Sequence, residues 1–312
     1  MSTELTSAPE RFGIVIGAMK SGTTTLFDVL GQHPEVSACR EKEPDFFADS
    51  VRFARGPSSY FELWDWSPDT HQVAIEASTA YSKHPWVPGV PERIASTLDR
   101  ESVRFIYMVR HPLRRIGSQV RHGLYEGWGQ SLDDGITDDV LDFSRYSIQL
   151  DRYLACFGRN QFLVIALEEY QRAPDRVLRR VCEFLGIASD FEFTEPGRVV
   201  NSGAFFEVPG HVRAVAHSGV VRRLIQVLPV SMKAWLRSTV SKLGRAKLGG
   251  GEECSPLGRW SLTPRESREI VSALRPDLIR LRDEWGVDVE GLWGISMPDQ
   301  GSAGAHGRDP TS

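Results

Sequence analysis

Short continuous apolar runs alternate with amphipathic stretches along the chain, and the first pair sets the pattern. An apolar run opens the stretch 12–30, ends in a glycine-containing turn carrying Lys20, and gives way to apolar positions at Leu26, Phe27, Val29 and Leu30. This order predicts strand, loop and helix. Gly31 and Pro34 then stop the helix. Residues 72–77 form a short β-prone run with Glu76 near its C-terminal end, while 81–91 is rich in proline and expected to be irregular. The densest β-branched and aromatic run after the first is 102–109, which leads straight into Arg110-His111-Pro112. Pro112 fits the first turn of a helix, where its missing N–H would be unpaired in any case, and the helical pattern continues through Arg115 and Ser118 to about His122.

Residues 161–167 form another apolar strand, and 174–185 a helix that Gly186 ends. From 210 to about 243 the pattern is helical, basic and amphipathic, with a break at Pro229. Its plainest use is a surface helical pair with a solvated basic face; a lid over the acceptor, formed by 210–258, or a contact with an anionic partner are the alternatives. A mobile loop is expected at 249–253, a long terminal helix from Pro264 to about Trp285 with Thr263 as N-cap, and a disordered tail at 298–312. Strands alternating with helices predict an α/β fold: three layers, with a central, mostly parallel sheet flanked by helices. Ligands of such folds lie beyond the strand C-termini, where both Lys20 and Arg110 fall.

Composition narrows the function classes. The 312 residues suffice for one large domain, expected over 11–290 behind a flexible N-terminus at 1–10. A net charge of −4 gives no global attraction to nucleic acid or anionic membrane, so any anion site must be local. The four cysteines, Cys39, Cys156, Cys182 and Cys254, are far apart and suggest reduced thiols, with neither a zinc site nor a disulfide framework. No apolar run is long enough to span a bilayer, and a soluble cytoplasmic enzyme without a metal is expected.

The 17–24 turn has the chemistry of an anion cradle. Small residues let backbone N–H groups converge, the helix N-terminus adds partial positive charge, and Lys20 adds a full one. In a Walker A loop a Gly-Lys-Ser/Thr closes a longer glycine loop. Here Lys20 precedes the last glycine, Gly22, and Thr23 and Thr24 open the helix. The strand at 102–109 ends in Val109 and Arg110, not in the aspartate that holds Mg²⁺ in a Walker B strand.

Two motifs together resemble the sulfotransferases that use 3′-phosphoadenosine 5′-phosphosulfate (PAPS). Gly17-Ala18-Met19-Lys20-Ser21-Gly22-Thr23-Thr24 is similar to their 5′-phosphosulfate loop. The run from Arg110 to Ser118 is similar to their 3′-phosphate motif, whose first Arg and last Ser bind the phosphate. Within that superfamily the chain resembles the branch of heparan sulfate N- and 3-O-sulfotransferase domains and bacterial relatives. Lys42-Glu43-Pro44-Asp45-Phe46-Phe47 is similar to their Lys-Glu-x-His-Phe-Phe, and Val90-Pro91-Glu92-Arg93-Ile94 matches another of their segments.

The resemblance implies a P-loop-like fold, PAPS as donor, 3′,5′-ADP as product, and a glycan or small-molecule acceptor. It implies Lys20 and Glu43 as catalytic residues, Glu43 being the base. Lys20, Ser21, Gly22, Thr23, Thr24, Arg110 and Ser118 would bind the nucleotide. Arg259, in Gly258-Arg259-Trp260, would form a last nucleotide contact. Arg114 and Arg115 are alternatives for the 3′-phosphate. Three departures stand out: Ala77 replaces the lysine of Glu-Lys-Ser-Pro-x-Tyr, Asp45 the histidine, and Gly117 an aromatic.

Phe46 and Phe47 are expected to desolvate Glu43 and raise its basicity, with a salt bridge to Lys42 or Arg40 as the rival use. Trp64, Trp66, Trp86 and Trp128 lie in loop-like stretches, where they serve the core or stack on an acceptor. The acceptor pocket is expected in the loops 49–67, 124–142 and 203–248. The competing functions are a P-loop phosphotransferase using ATP and a non-catalytic nucleotide-binding protein of the same fold.

Overall fold

A computed structural model describes residues 8–126, 137–197 and 262–297 of the chain. Five strands form one sheet: β1 (Phe12–Gly17), β2 (Val36–Ala38), β3 (Val73–Ala77), β4 (Val103–Val109) and β5 (Phe162–Ala166), in the spatial order β2, β3, β1, β4, β5. All four pairings are parallel, with Phe12 opposite both Ala74 and Val103 at the start of β1. Parallel strands are covered on both faces, so they read as continuous apolar runs. β1 and β3 are buried along their whole length.

Between the strands run α1 (Thr23–Leu30), α2 (Ser50–Phe53), α3 (Pro57–Phe61), α4 (Val90–Thr97), α5 (Pro112–Glu126), α6 (Asp138–Asp142) and α7 (Tyr146–Leu154). After β5 come α8 (Leu167–Arg172), α9 (Pro174–Leu185), α10 (Pro264–Trp285) and α11 (Val289–Trp293). This is the expected three-layer α/β class. Residues 1–119, 132–200 and 262–312 form one compact unit, which holds the whole sheet. Residues 120–131 and 201–261 form a second unit, of which only the last turns of α5 are described. The expected lid at 210–258, the loop at 249–253, Cys254, Arg259, Trp128 and the tail at 298–312 lie outside the described residues.

Helix ends carrying local signals fall where the sequence puts them. Thr263 and Glu266 form a reciprocal capping box at the start of α10, and Gly186 (φ 68°) and Gly286 (φ 69°) close α9 and α10 in the left-handed conformation. α5 runs past its expected end at His122, because a single interior glycine such as Gly123 costs only about 1 kcal/mol. α4 was not expected; Gly89 (φ 80°) turns the chain into it and Pro91 sits in its first turn. α7 receives its cap from far along the chain, where Asp277 of α10 accepts from the Ser147 and Ile148 amides at 3.2 and 3.0 Å. Among the described residues no helix is long and apolar enough to cross a membrane.

Arg115, an alternative for the 3′-phosphate, is instead a core post. It is fully buried and donates to Ser144 Oγ (2.7 Å), Gln119 Oε1 (2.6 Å) and the Val140 carbonyl (2.6 Å), tying α5 to α6 and to the chain that leads into α7. Arg115→Ala strands those acceptors in the interior and is expected to destabilise the fold by about 3 kcal/mol or more. A denaturant titration reads this directly; a loss below about 1 kcal/mol contradicts the role.

Candidate active site

The loops after β1, β2, β3 and β4 meet at the C-terminal edge of the sheet. At the end of β1 the Ala18 amide donates to the Met108 carbonyl of β4 at 2.6 Å, and the Ser21 amide returns to the Ala18 carbonyl at 3.1 Å. Lys20 (φ 68°) and Gly22 (φ 84°) both adopt left-handed backbone. The backbone at Gly22 favours glycine, and a Cβ there would also stand 2.6 Å from Leu167 Cδ1 of α8, whose side chain would have to shift.

α1 begins without a side-chain cap, unlike α10 and α11, which Thr263 and Asp288 cap. Gly22, at the N-cap, has no side-chain oxygen to offer the first-turn N–H groups. Ser21 is fully buried, and its Oγ has no hydrogen-bond partner. An uncapped helix start beside a buried, unpartnered hydroxyl fits a bound phosphate or sulfate. Thr23 is buried and Thr24 half-buried in that first turn.

Arg110 is fixed to this loop. Its Nη1 donates to the Lys20 carbonyl at 3.0 Å, and its own carbonyl accepts from Tyr146 Oη of α7 at 2.6 Å. The next amide, His111 N–H, donates to Glu168 Oε1 of α8 at 3.2 Å, while Trp293 Nε1 of α11 donates to Glu168 Oε2 at 2.9 Å. Burial lowers the His111 pKa, against the pull of Glu168, and His111 Nδ1 accepts from the Leu113 amide at 3.2 Å, as a neutral ring can. Ser118 is half-buried two turns into α5, and Arg114 is exposed. Tyr146, Glu168 and Trp293 carry no motif; only the fold brings them to Arg110.

Glu43 lies in the loop after β2, with its backbone in the left-handed region (φ 55°) and its amide donating to the Ala77 carbonyl of β3 at 3.0 Å. The expected desolvation is not found. The Glu43 side chain is 40% exposed and pairs with Lys42 Nζ at 2.8 Å, one of the two salt bridges weighed from sequence. Phe46 and Phe47 turn away from it into the core, 4.9 and 4.7 Å from the Tyr60 ring. Arg40 pairs with Asp65 (3.1 Å) and Glu41 with Arg52 (2.7 Å), so those charges do form a solvated cluster.

A family model for the sulfotransferase domain matches residues 13–201. The chain belongs to the sulfotransferase family. Heparan sulfate glucosamine 3-O-sulfotransferase 5 of Mus musculus is 28% identical over 189 residues, covering 56% of this chain and 53% of that protein. Bifunctional heparan sulfate N-deacetylase/N-sulfotransferase 2 of Bos taurus is 24% identical over 215 residues, 62% of this chain and 24% of that protein. The chain thus spans about half the length of the first relative and about a quarter of the second. The crystal structure of a sulfotransferase from Alicyclobacillus acidocaldarius shares the fold, with a TM-score of 0.60 at 20% identity over 93% of this chain and 100% of that one.

Near the 43–47 loop of this sulfotransferase the desolvated carboxylates are two neighbours of Glu43, Asp45 and Glu76. Burial pushes Asp45 up to about 6, with Glu43 adding to the rise and Lys83 opposing it. Burial likewise pushes Glu76 up to about 7 against three hydroxyl donors. Lys83, which no motif singled out, is lowered by burial while Asp45 and Glu43 pull it back, so it faces the same loop. Of the tryptophans, Trp64 is a core residue, donating to the Ile75 carbonyl at 3.0 Å, and Trp66 packs 5.6 Å from His71. Trp86 is 59% exposed. The segment 49–67, expected as a loop, carries α2 and α3 and is core in part through Tyr60 and Trp64.

Proposed function

We propose that this sulfotransferase moves a sulfuryl group from PAPS to a hydroxyl or amine of a carbohydrate or small-molecule acceptor by in-line displacement. The observation that carries the proposal is the joined pair of cationic loops: the uncapped start of α1, with Ser21 Oγ unpartnered, is hydrogen-bonded through the Lys20 carbonyl to Arg110. Two such groups on adjacent strand ends suit a nucleotide that carries two separate anions.

The roles follow from charge. Lys20, with the amides and hydroxyls of Ser21, Gly22, Thr23 and Thr24, holds the 5′-phosphosulfate and neutralises the charge that grows on its phosphate oxygen as the S–O bond breaks. Arg110 offers a planar fork to the 3′-phosphate, with Ser118 and Arg259 as further donors. Glu43 accepts the acceptor's proton as the new bond to sulfur forms. The leaving group is 3′,5′-ADP. The relatives named above act on heparan sulfate by their names, but Ala77 stands where the resembling motif has lysine, so the proposal extends no further than a hydroxyl or amine acceptor.

A thermal-shift panel tests the donor. Binding to the native state raises the melting temperature, and ligand at about 100 times Kd stabilises by about 2.7 kcal/mol. We expect a large rise with 3′,5′-ADP, a smaller one with 5′-AMP, and a narrowed difference between the two in Arg110→Ala. A rise with Mg²⁺-ATP and none with 3′,5′-ADP would instead support a phosphotransferase. Binding without turnover across an acceptor panel with labelled donor would favour a non-catalytic nucleotide-binding protein.

A further inference from the structure

β3 is buried throughout, yet its fourth residue is a carboxylate. Glu76 has no solvent exposure and accepts three hydroxyl hydrogen bonds: Oε1 from Tyr60 at 2.8 Å and Tyr81 at 3.1 Å, and Oε2 from Ser78 at 2.8 Å. Two of these hydroxyls are used twice. The Ser78 oxygen accepts the Asp45 amide at 3.1 Å, and the Tyr81 oxygen accepts the Phe47 amide at 3.2 Å. With each hydroxyl hydrogen committed to Glu76, the oxygen lone pairs are left to face the loop. The Glu43 amide is held next door by the Ala77 carbonyl.

Every second amide of the loop, at 43, 45 and 47, is therefore tied to the end of β3 or to the turn that follows it. The Phe47 carbonyl is tied too, by Arg93 Nη1 at 2.9 Å. This matters because Glu43 (φ 55°) and Asp45 (φ 49°) both stand in the left-handed region. Such residues persist only where their surroundings over-determine them. A buried carboxylate is itself unfavourable unless its hydrogen bonds are complete, so packing alone does not call for Glu76.

We propose that ionised Glu76 is a positioning residue for Glu43, acting by orienting the Ser78 and Tyr81 hydroxyls that hold the 43–47 loop. The inference rests on Glu43 as the proposed base. Facing Glu76 are Tyr60 of α3, Cys39 of the loop after β2, Asp45, Tyr81, and Tyr153 of α7. Burial raises the three tyrosines well above their usual value and Cys39 to about 12, so these four stay neutral. Glu76, raised to about 7, is mostly charged at pH 8, where the assay belongs.

The experiment is a double-mutant cycle at pH 8 on the full chain, with Ser78→Ala and Tyr81→Phe each made alone and in a Glu43→Gln background. Each removes one hydroxyl and leaves Glu76 in place. A loosened base is expected to lower kcat on the order of tenfold, since misplacement of about 1 Å can cost a hundredfold. KM for the donor and the thermal shift with 3′,5′-ADP should not move. In the Glu43→Gln background neither substitution should lower kcat further, because both act through the lost carboxylate. Wild-type kcat in both single variants, or the same loss in both backgrounds, overturns the positioning role while leaving Glu43 as base. Full activity of Glu43→Gln alone overturns the base, and this inference with it.

Discussion

Lys20→Ala is expected to lower kcat by about 10² to 10³-fold, the loss seen when one preorganised donor to a developing anion is removed. The backbone at Lys20 is left-handed (φ 68°) with a side chain already present, and its carbonyl is held by Arg110 Nη1 at 3.0 Å. Alanine keeps both. What disappears is the full positive charge next to the uncapped start of α1, where the breaking S–O bond would place its electrons on phosphate. Because that charge grows toward the transition state, the loss should fall more on kcat than on 3′,5′-ADP affinity. Lys20→Arg restores charge on a longer, planar group and should recover only part of the activity. Steady-state kinetics with labelled donor decides this, and a kcat within about threefold of wild type removes Lys20 from the chemistry.

Glu43→Gln is expected to lower kcat by about 10² to 10⁴-fold, the usual worth of a positioned proton acceptor. Glutamine is isosteric and leaves the amide bond to Ala77 in place. It does break the ion pair with Lys42, but that pair is 30% and 40% exposed on its two sides, and exposed pairs contribute little to stability. The melting temperature and its response to 3′,5′-ADP should therefore stay at wild-type values. A fall in nucleotide binding that matches the fall in turnover would show instead that Glu43 serves the donor.

Much of the scaffold was legible in the chain. β1 is a continuous apolar run, and β4 is one from Phe105 onward, because a parallel sheet is covered on both faces. The limits of α9 and the start of α10 agree with the sequence, and α10 ends at the expected Trp285, because Pro174, Gly186, Thr263 and Pro264 act on their own turns. The anion loop was legible for the same reason: Lys20, Gly22 and the helix start are contiguous. Short elements were not. β2 has three residues and α2 four, too few for a period to emerge. The environment of Glu43 was misjudged because adjacency in sequence does not say which way Phe46 and Phe47 turn.

The sequence by itself determined the class of fold, the ends of α9 and α10, and the presence of two cationic loops after two strands. These depend on residues within a turn or two of one another, where caps, glycines and periodicity act. The tertiary structure alone decided what holds those loops still. Tyr60 reaches Glu76 across 16 positions, Phe47 reaches Tyr81 across 34, Tyr146 reaches Arg110 across 36, and Asp277 reaches Ser147 across 130. These hydrogen bonds are buried, or part-buried in the case of Tyr146, and exclusion of water made finding a partner obligatory. A lone Glu in an apolar strand or an Arg on a helix face reads from sequence as an exception or a solvated charge. The fold turned Glu76 into a fixed point beside the 43–47 loop and Arg115 into a core post between α5 and α6.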